Sequence, residues 1–240
     1  MDLSKLGKGA RKALPLKKCG AVIVAAGSAS RMEGIDKVMA ELKGEPMIVR
    51  TVRAFQQCDA IREIIVVTRE DLIRPITSLC AKMDKVKAVV AGGKSRQESV
   101  WLGLNSLSDN MELAAIHDGA RPLISQAVID RTVRAAHSYG AAAPAIAVKD
   151  TIKVAKNGLV AATPNRESLR AVQTPQAFDF DLLRGALKKA EEDKAAVTDD
   201  CSAVELLGMS VKLVEGEERN LKVTTPLDLK IAALLLEEEA

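Results

Sequence analysis

Strand-sized apolar runs interleaved with stretches of helical periodicity leave this 240-residue chain few ways to bury its surface. The runs are Ala21–Ala26, Glu63–Thr68, Lys87–Val90, Leu113–His117 and Ala141–Ala147. Helical patterns occupy Pro46–Gln57, Asp71–Lys82, Ser95–Leu107 and Ser125–Ser138, with Ser125 suited to an N-cap and Pro46 to a first turn. Such alternation predicts an α/β, mostly parallel, Rossmann-like sheet with helices on both faces. The rhythm breaks after Val148. Thr151–Ala155 and Leu159–Thr163 flank Asn157-Gly158, which reads as a β-hairpin projecting from the body. Helices then resume at Asp179–Glu192 and Asp200–Leu207, before a strand at Val211–Val214 and a last helix at Pro226–Glu239.

Composition removes several function classes. Aromatic residues make up only 2% of the chain, too few for the base-stacking platforms of single-strand and RNA readers. No apolar run is long enough to cross a bilayer. Cys19, Cys58, Cys80 and Cys201 are dispersed, with only His117 and His137 beside them, so a zinc site is not expected and a reducing cytoplasm is. The net charge of +3 is concentrated in residues 1–18, which hold Lys5, Lys8, Arg11, Lys12, Lys17 and Lys18 against Asp2. These residues are expected to form a basic, disordered leader before a single domain over 19–240.

Chemistry gathers at strand ends. Ala25-Ala26-Gly27 closes the first run, and its small residues let backbone amides approach a ligand at the carboxyl edge of an open sheet. Arg31 and Lys37 follow and could clamp phosphates. Gly92-Gly93-Lys94-Ser95 ends another run and opens a helix, offering further amides. It is no Walker A loop, because Ala88 stands where the first glycine is required. His117-Asp118-Gly119-Ala120-Arg121-Pro122 supplies Asp118 as a candidate metal or ribose ligand, with Arg121 as its ion-pair partner. His117 has no serine or cysteine nucleophile signature nearby and reads as packing or support for the site.

These segments resemble the 2-C-methyl-D-erythritol 4-phosphate cytidylyltransferase family. The likeness is carried by Ala25 to Arg31, Lys37, Gly92 to Ser99, His117 to Pro122, Lys149-Asp-Thr151, Gln173-Thr-Pro-Gln176, Thr198-Asp-Asp200 and Asn220-Leu-Lys-Val-Thr224, in the family's order. It implies a nucleotidyltransferase fold, CMP transfer from CTP to the phosphorylated polyol with release of pyrophosphate, and Mg2+ as divalent cation. It also implies roles. Arg31 and Lys37 would stabilise the pentacoordinate transition state. Ala25, Ala26, Gly27, Gly92, Gly93 and Ser99 would form the CTP pocket, with Asp118 and Arg121 beside ribose, phosphates and metal. Lys222 would position the acceptor phosphate, and Thr174 would lie by the acceptor. Thr151 and Arg166, on an arm at about 149–170, would reach the partner's site in a homodimer.

Asp36 before Lys37, Lys94 in the glycine loop and Arg170 before the Thr-Pro-Gln segment depart from the family's usual residues. The alternatives are a ribitol 5-phosphate cytidylyltransferase and a nucleotide-binding homologue without turnover. The three cations Arg31, Lys37 and Lys222 weigh against mere binding.

Overall fold

The computed structural model describes residues 15–27 and 37–237, Lys37 by its backbone alone. Chain order runs β1 (Cys19–Ala25), β2 (Glu41–Leu42), β3 (Glu45–Pro46), α1 (Met47–Gln56), β4 (Ile61–Thr68), α2 (Ile73–Leu79), β5 (Val86–Ala91) and α3 (Arg96–Leu104). It continues with β6 (Leu113–Asp118), α4 (Gln126–Tyr139), β7 (Ala141–Ala147), β8 (Val154–Lys156), β9 (Leu159–Ala162), β10 (Arg170–Val172) and β11 (Gln176–Asp179). The last elements are α5 (Phe180–Glu192), α6 (Asp200–Glu205), β12 (Lys212–Glu215) and α7 (Pro226–Glu237).

Among the described residues an eight-stranded sheet has the order β10-β7-β11-β6-β1-β4-β5, with β12 alongside β7. The pairs β1–β4, β1–β6 and β4–β5 are parallel, as the alternating sequence predicted. Their register aligns Val24 with Asp118, Ala25 with Thr68, and Thr68 with Ala91, so four strands end along one edge. Two buried clusters cover the faces. One gathers Ile23, Phe55, Ile64 and Ile129; the other gathers Val22, Ile65, Leu104, Phe178 and Leu187. Buried on both faces, β1, β4 and β6 read as continuous apolar runs. Close approach of α3 needs Gly103, where a Cβ would overlap Val22.

Three local differences have physical causes. The helix expected over Asp71–Lys82 is shorter, with a 3₁₀ turn at Glu70–Leu72 ahead of it. Pro75 is tolerated only in a first turn, whose N–H groups have no helical partner, so the α-helix starts at Ile73. The hairpin strands are shorter too, joined at Asn157 and Gly158, whose φ values of 51° and 78° suit a type I′ turn. Finally, β10 and β11 were not expected. They are short, lack alternation, and run antiparallel to β7, with β11 also antiparallel to β6.

The body begins before Cys19. Lys17 pairs with Asp179 at 2.8 Å, and the Lys18 carbonyl accepts from the N–H groups of Glu112 and Leu113.

Candidate active site

A crevice of about 420 Å³ opens at the edge where β1, β5 and β6 end. Ala26, Gly27, Gly93, Ser99, Asp118 and Lys222 line it, as the sequence led one to expect. So do Lys94, Ser95 and Arg96, to which no role had been given.

The glycine loop is shaped by its own side chains. Ser95 caps α3 by accepting from Glu98 N at 3.0 Å, and the Glu98 carboxylate accepts from Lys94 N at 2.7 Å. Ser99 Oγ donates to the Ser95 carbonyl and accepts from Gly93 N. At Gly92 a Cβ would overlap that of Ala26, so only glycine lets this loop lie against the first one. Ala25 itself is buried and supports Ala26 from the core.

Asp118 sits among cations. Its Oδ2 is 2.8 Å from Lys222 Nζ and 3.8 Å from Arg121 Nε, and its Oδ1 is 3.6 Å from Arg96 Nε. Burial pushes the carboxyl up, yet Lys222, Arg96 and Arg121 outweigh it and hold the group at about 2. The carboxylate is therefore charged at any physiological pH.

Arg96 is held from behind by Asp200, with contacts of 3.1 and 2.8 Å to a carboxylate that is 2% exposed. Gln176 completes this support. Its Oε1 accepts from the N–H groups of Asp200 and Cys201, while its Nε2 donates to Asp199. Arg96 and Asp200 both fall within quoted motifs, but side chains from α3 and α6 meet only in the folded chain. Their signal in sequence was a charged residue in each segment, nothing more.

Arg121 departs from its expected place against the nucleotide. Its Nη1 donates to the Asn220 carbonyl at 2.6 Å and it does not line the crevice. Asn220 is fully buried, donating to Gln173 Oε1 and the Thr174 carbonyl. This ties the segment bearing Lys222 to the segment bearing Thr174. Thr174 is buried, its hydroxyl against Asp118 N and His117.

Thr151 and Arg166 are exposed on the arm and do not line this crevice; Arg166 Nη1 donates to the Lys149 carbonyl at 2.7 Å. Arg31, Asp36 and the Lys37 side chain lie outside the described residues. Arg170 lies exposed in β10, bonded to the Glu167 and Leu169 carbonyls.

Of the three cations around this carboxylate, Lys222 and Arg96 line the crevice and could meet a polyanion there, while Arg121 stands behind it. No serine–histidine or cysteine–histidine nucleophile is assembled among the described residues.

The chain is similar to known proteins in sequence and in fold. A family model described as 2-C-methyl-D-erythritol 4-phosphate cytidylyltransferase matches residues 19–238. A relative of that name from Symbiobacterium thermophilum is 43% identical over 221 residues, covering 91% of this chain and 93% of its own. Another of that name, from Clostridium novyi, is 45% identical over 226 residues, covering 92% and 97%. Among solved structures, 4-diphosphocytidyl-2C-methyl-D-erythritol synthase from Anaerococcus prevotii superposes with a TM-score of 0.84 at 33% identity, covering 92% of this chain and 96% of that one. The Thermus thermophilus cytidylyltransferase gives a TM-score of 0.78 at 32% identity, covering 92% and 99%.

Proposed function

The chain belongs to the 2-C-methyl-D-erythritol 4-phosphate cytidylyltransferase family, a nucleotidyltransferase of isoprenoid biosynthesis that joins CMP from CTP to the acceptor phosphate, and we propose that the crevice around Asp118 and Lys222 is where it does so. A phosphate oxygen of the acceptor attacks the α-phosphorus of CTP in line. The new P–O bond forms as the bond to the β-phosphate breaks, and pyrophosphate leaves. The acceptor phosphate is already a nucleophile at neutral pH, so the protein's work is alignment and screening of two polyanions.

The observation that carries this reading is the convergence of Gly93, Ser99, Asp118 and Lys222 on one crevice at the carboxyl edge of the sheet. The two loops that end at Gly27 and begin at Gly92 would form the walls of the CTP pocket. Lys222, set by Asp118, would hold the acceptor phosphate close to the α-phosphorus. Arg31 and Lys37 would meet the charge that develops in the transition state. Arg121 would act at one remove, through the Asn220 carbonyl that it holds.

A single ionised carboxylate in a phosphate-binding crevice fits Mg2+, which keeps several waters and takes few protein ligands. Asp118 would be its protein ligand, and the ion when bound would offset phosphate charge.

The arm supports a homodimer with shared sites. In β8 and β9 every residue is exposed, Leu159 and Val160 strongly so, and an isolated two-stranded ribbon is marginal in water. Packing on a second copy would cover these side chains and deliver Thr151 and Arg166 to the partner's acceptor. The four cysteines are free and buried, and no helix among the described residues is long and apolar enough to cross a membrane. Both features suit a cytoplasmic enzyme.

The test is pyrophosphate release from CTP with 2-C-methyl-D-erythritol 4-phosphate or ribitol 5-phosphate as acceptor. Turnover is expected with the first. Preference for the second, or release with neither, would refute the assignment.

A further inference from the structure

His117 is fully buried beside the catalytic crevice, and its ring lies against Phe55, with centroids 4.8 Å apart. Both ring nitrogens have partners. Nε2 is 3.3 Å from the Arg121 carbonyl oxygen, and Nδ1 is 3.0 Å from Thr174 Oγ1. Thr174 Oγ1 is in turn 3.1 Å from Asp118 N. Proton accounting on these contacts leaves one arrangement. A carbonyl oxygen can only accept, so Nε2 must carry a proton. Asp118 N–H can only donate, so Thr174 Oγ1 accepts it. Among the described residues the buried Thr174 hydroxyl has no other partner to take its own proton, so Nδ1 receives it through a lone pair and the ring is neutral.

We propose that His117 is a positioning residue for the transfer reaction: as the neutral Nε2–H tautomer it orients the Thr174 hydroxyl, which holds the backbone of Asp118, while its other nitrogen holds the turn at Arg121. This rests on the reading of Asp118 and Lys222 as the acceptor-phosphate site. The chain of bonds runs from the Arg121 carbonyl through the imidazole and hydroxyl to the Asp118 amide. It joins the end of β6, the loop after it and the segment before β11. Thr51 from α1 adds a fourth anchor, its hydroxyl 3.0 Å from the Gly119 carbonyl. Lys222 meets the Asp118 carboxylate on the crevice side, so the placement of that lysine depends on a backbone fixed from inside.

One consequence changes the role expected for Thr174. Its proton is committed to His117, so it has only lone pairs left for any other group. Thr174 thus acts through Asp118 and cannot donate to a bound phosphate.

The test has two arms. In the full-length protein labelled with 15N-histidine, long-range proton–nitrogen correlations should show His117 neutral and protonated at Nε2. A proton on Nδ1, or an imidazolium near neutral pH, would overturn the proposal. In steady-state kinetics Thr174→Val removes the hydroxyl but keeps the shape. Its kcat should fall about ten- to a hundredfold, the scale of a small misplacement in a reacting site, with KM for CTP little changed. Thr174→Ser should recover most of the loss. Wild-type kcat in Thr174→Val, or no recovery in Thr174→Ser, would show that the hydroxyl positions nothing. Failure of the wild-type protein to release pyrophosphate would instead strike the functional assignment, and the tautomer measurement would be untouched by it.

Discussion

Lys222 Nζ lies 2.8 Å from Asp118 Oδ2, joining a loop near the carboxyl end of the chain to the end of a central strand. The pair faces the crevice with the lysine 42% exposed, so the ammonium is held by Asp118 and still open to the crevice. Lys222→Ala should lower kcat by roughly two to three orders of magnitude, the scale of losing one electrostatic stabiliser. Thermal stability should fall modestly, because Asp118 loses its nearest cation but keeps Arg96 and Arg121. Near-normal turnover in this variant would remove Lys222 from the reaction.

Arg96 lines the crevice while its ion pair with Asp200 reaches into the core. Arg96→Met leaves the Asp200 carboxylate buried without its main partner, a defect that costs about 3 kcal/mol or more. Urea unfolding should show this loss, and KM for CTP should rise. Unchanged unfolding would mean that the pair contributes no net stability.

Gly92→Ala probes contact between the two nucleotide loops. The new methyl would overlap Ala26 Cβ and come within 2.9 Å of Ser99 Oγ. Overpacking of this kind costs about 1–3 kcal/mol, and here the displaced groups line the crevice proposed to hold CTP. KM for CTP should rise more than kcat falls. Wild-type kinetics would show that the loops are not held together in the working enzyme.

His117 couples stability to pH. Its folded-state value of about 3 lies below the ordinary 6.5, so the unfolded chain binds the extra proton between them. The associated stability is complete above pH 6.5 and is lost as pH falls toward 3, by up to about 1.4 kcal/mol per pH unit. Comparing wild type with His117→Gln by urea unfolding from pH 7 to 4 isolates this term. Wild type should lose more stability than the variant over that range. Parallel pH profiles would mean that His117 titrates alike in both states.

The arm makes a prediction about assembly. Lys37→Ala and Arg166→Ala homodimers should each be poor enzymes if the two residues act in one shared site. Mixing the two by co-refolding should restore up to about a quarter of wild-type activity, since half the dimers are mixed and half their sites are whole. Activity that stays additive after confirmed subunit exchange would place Arg166 in its own protomer's site.

The sequence by itself determined the parallel core. β1, β4, β6 and β7 lie where apolar runs stood, because a strand buried on both faces writes its burial into consecutive residues, and the half-buried edge strand β5 was marked by its valines. It also determined that Ala26, Gly27, Gly93, Ser99 and Asp118 would meet, since parallel strands in one sheet end on the same edge. Tertiary structure alone decided the rest. The antiparallel insertion of β11 beside β6 brings Thr174 to Asp118 and Gln176 to Asp200, across separations that no local pattern records. The same packing turns Arg121 from a ligand candidate into a brace for Asn220, and brings Arg96 into the crevice wall. Periodicity reports which face of an element is buried. Which polar groups then share a hydrogen bond is settled only when elements from distant parts of the chain exclude water together and leave each donor one acceptor.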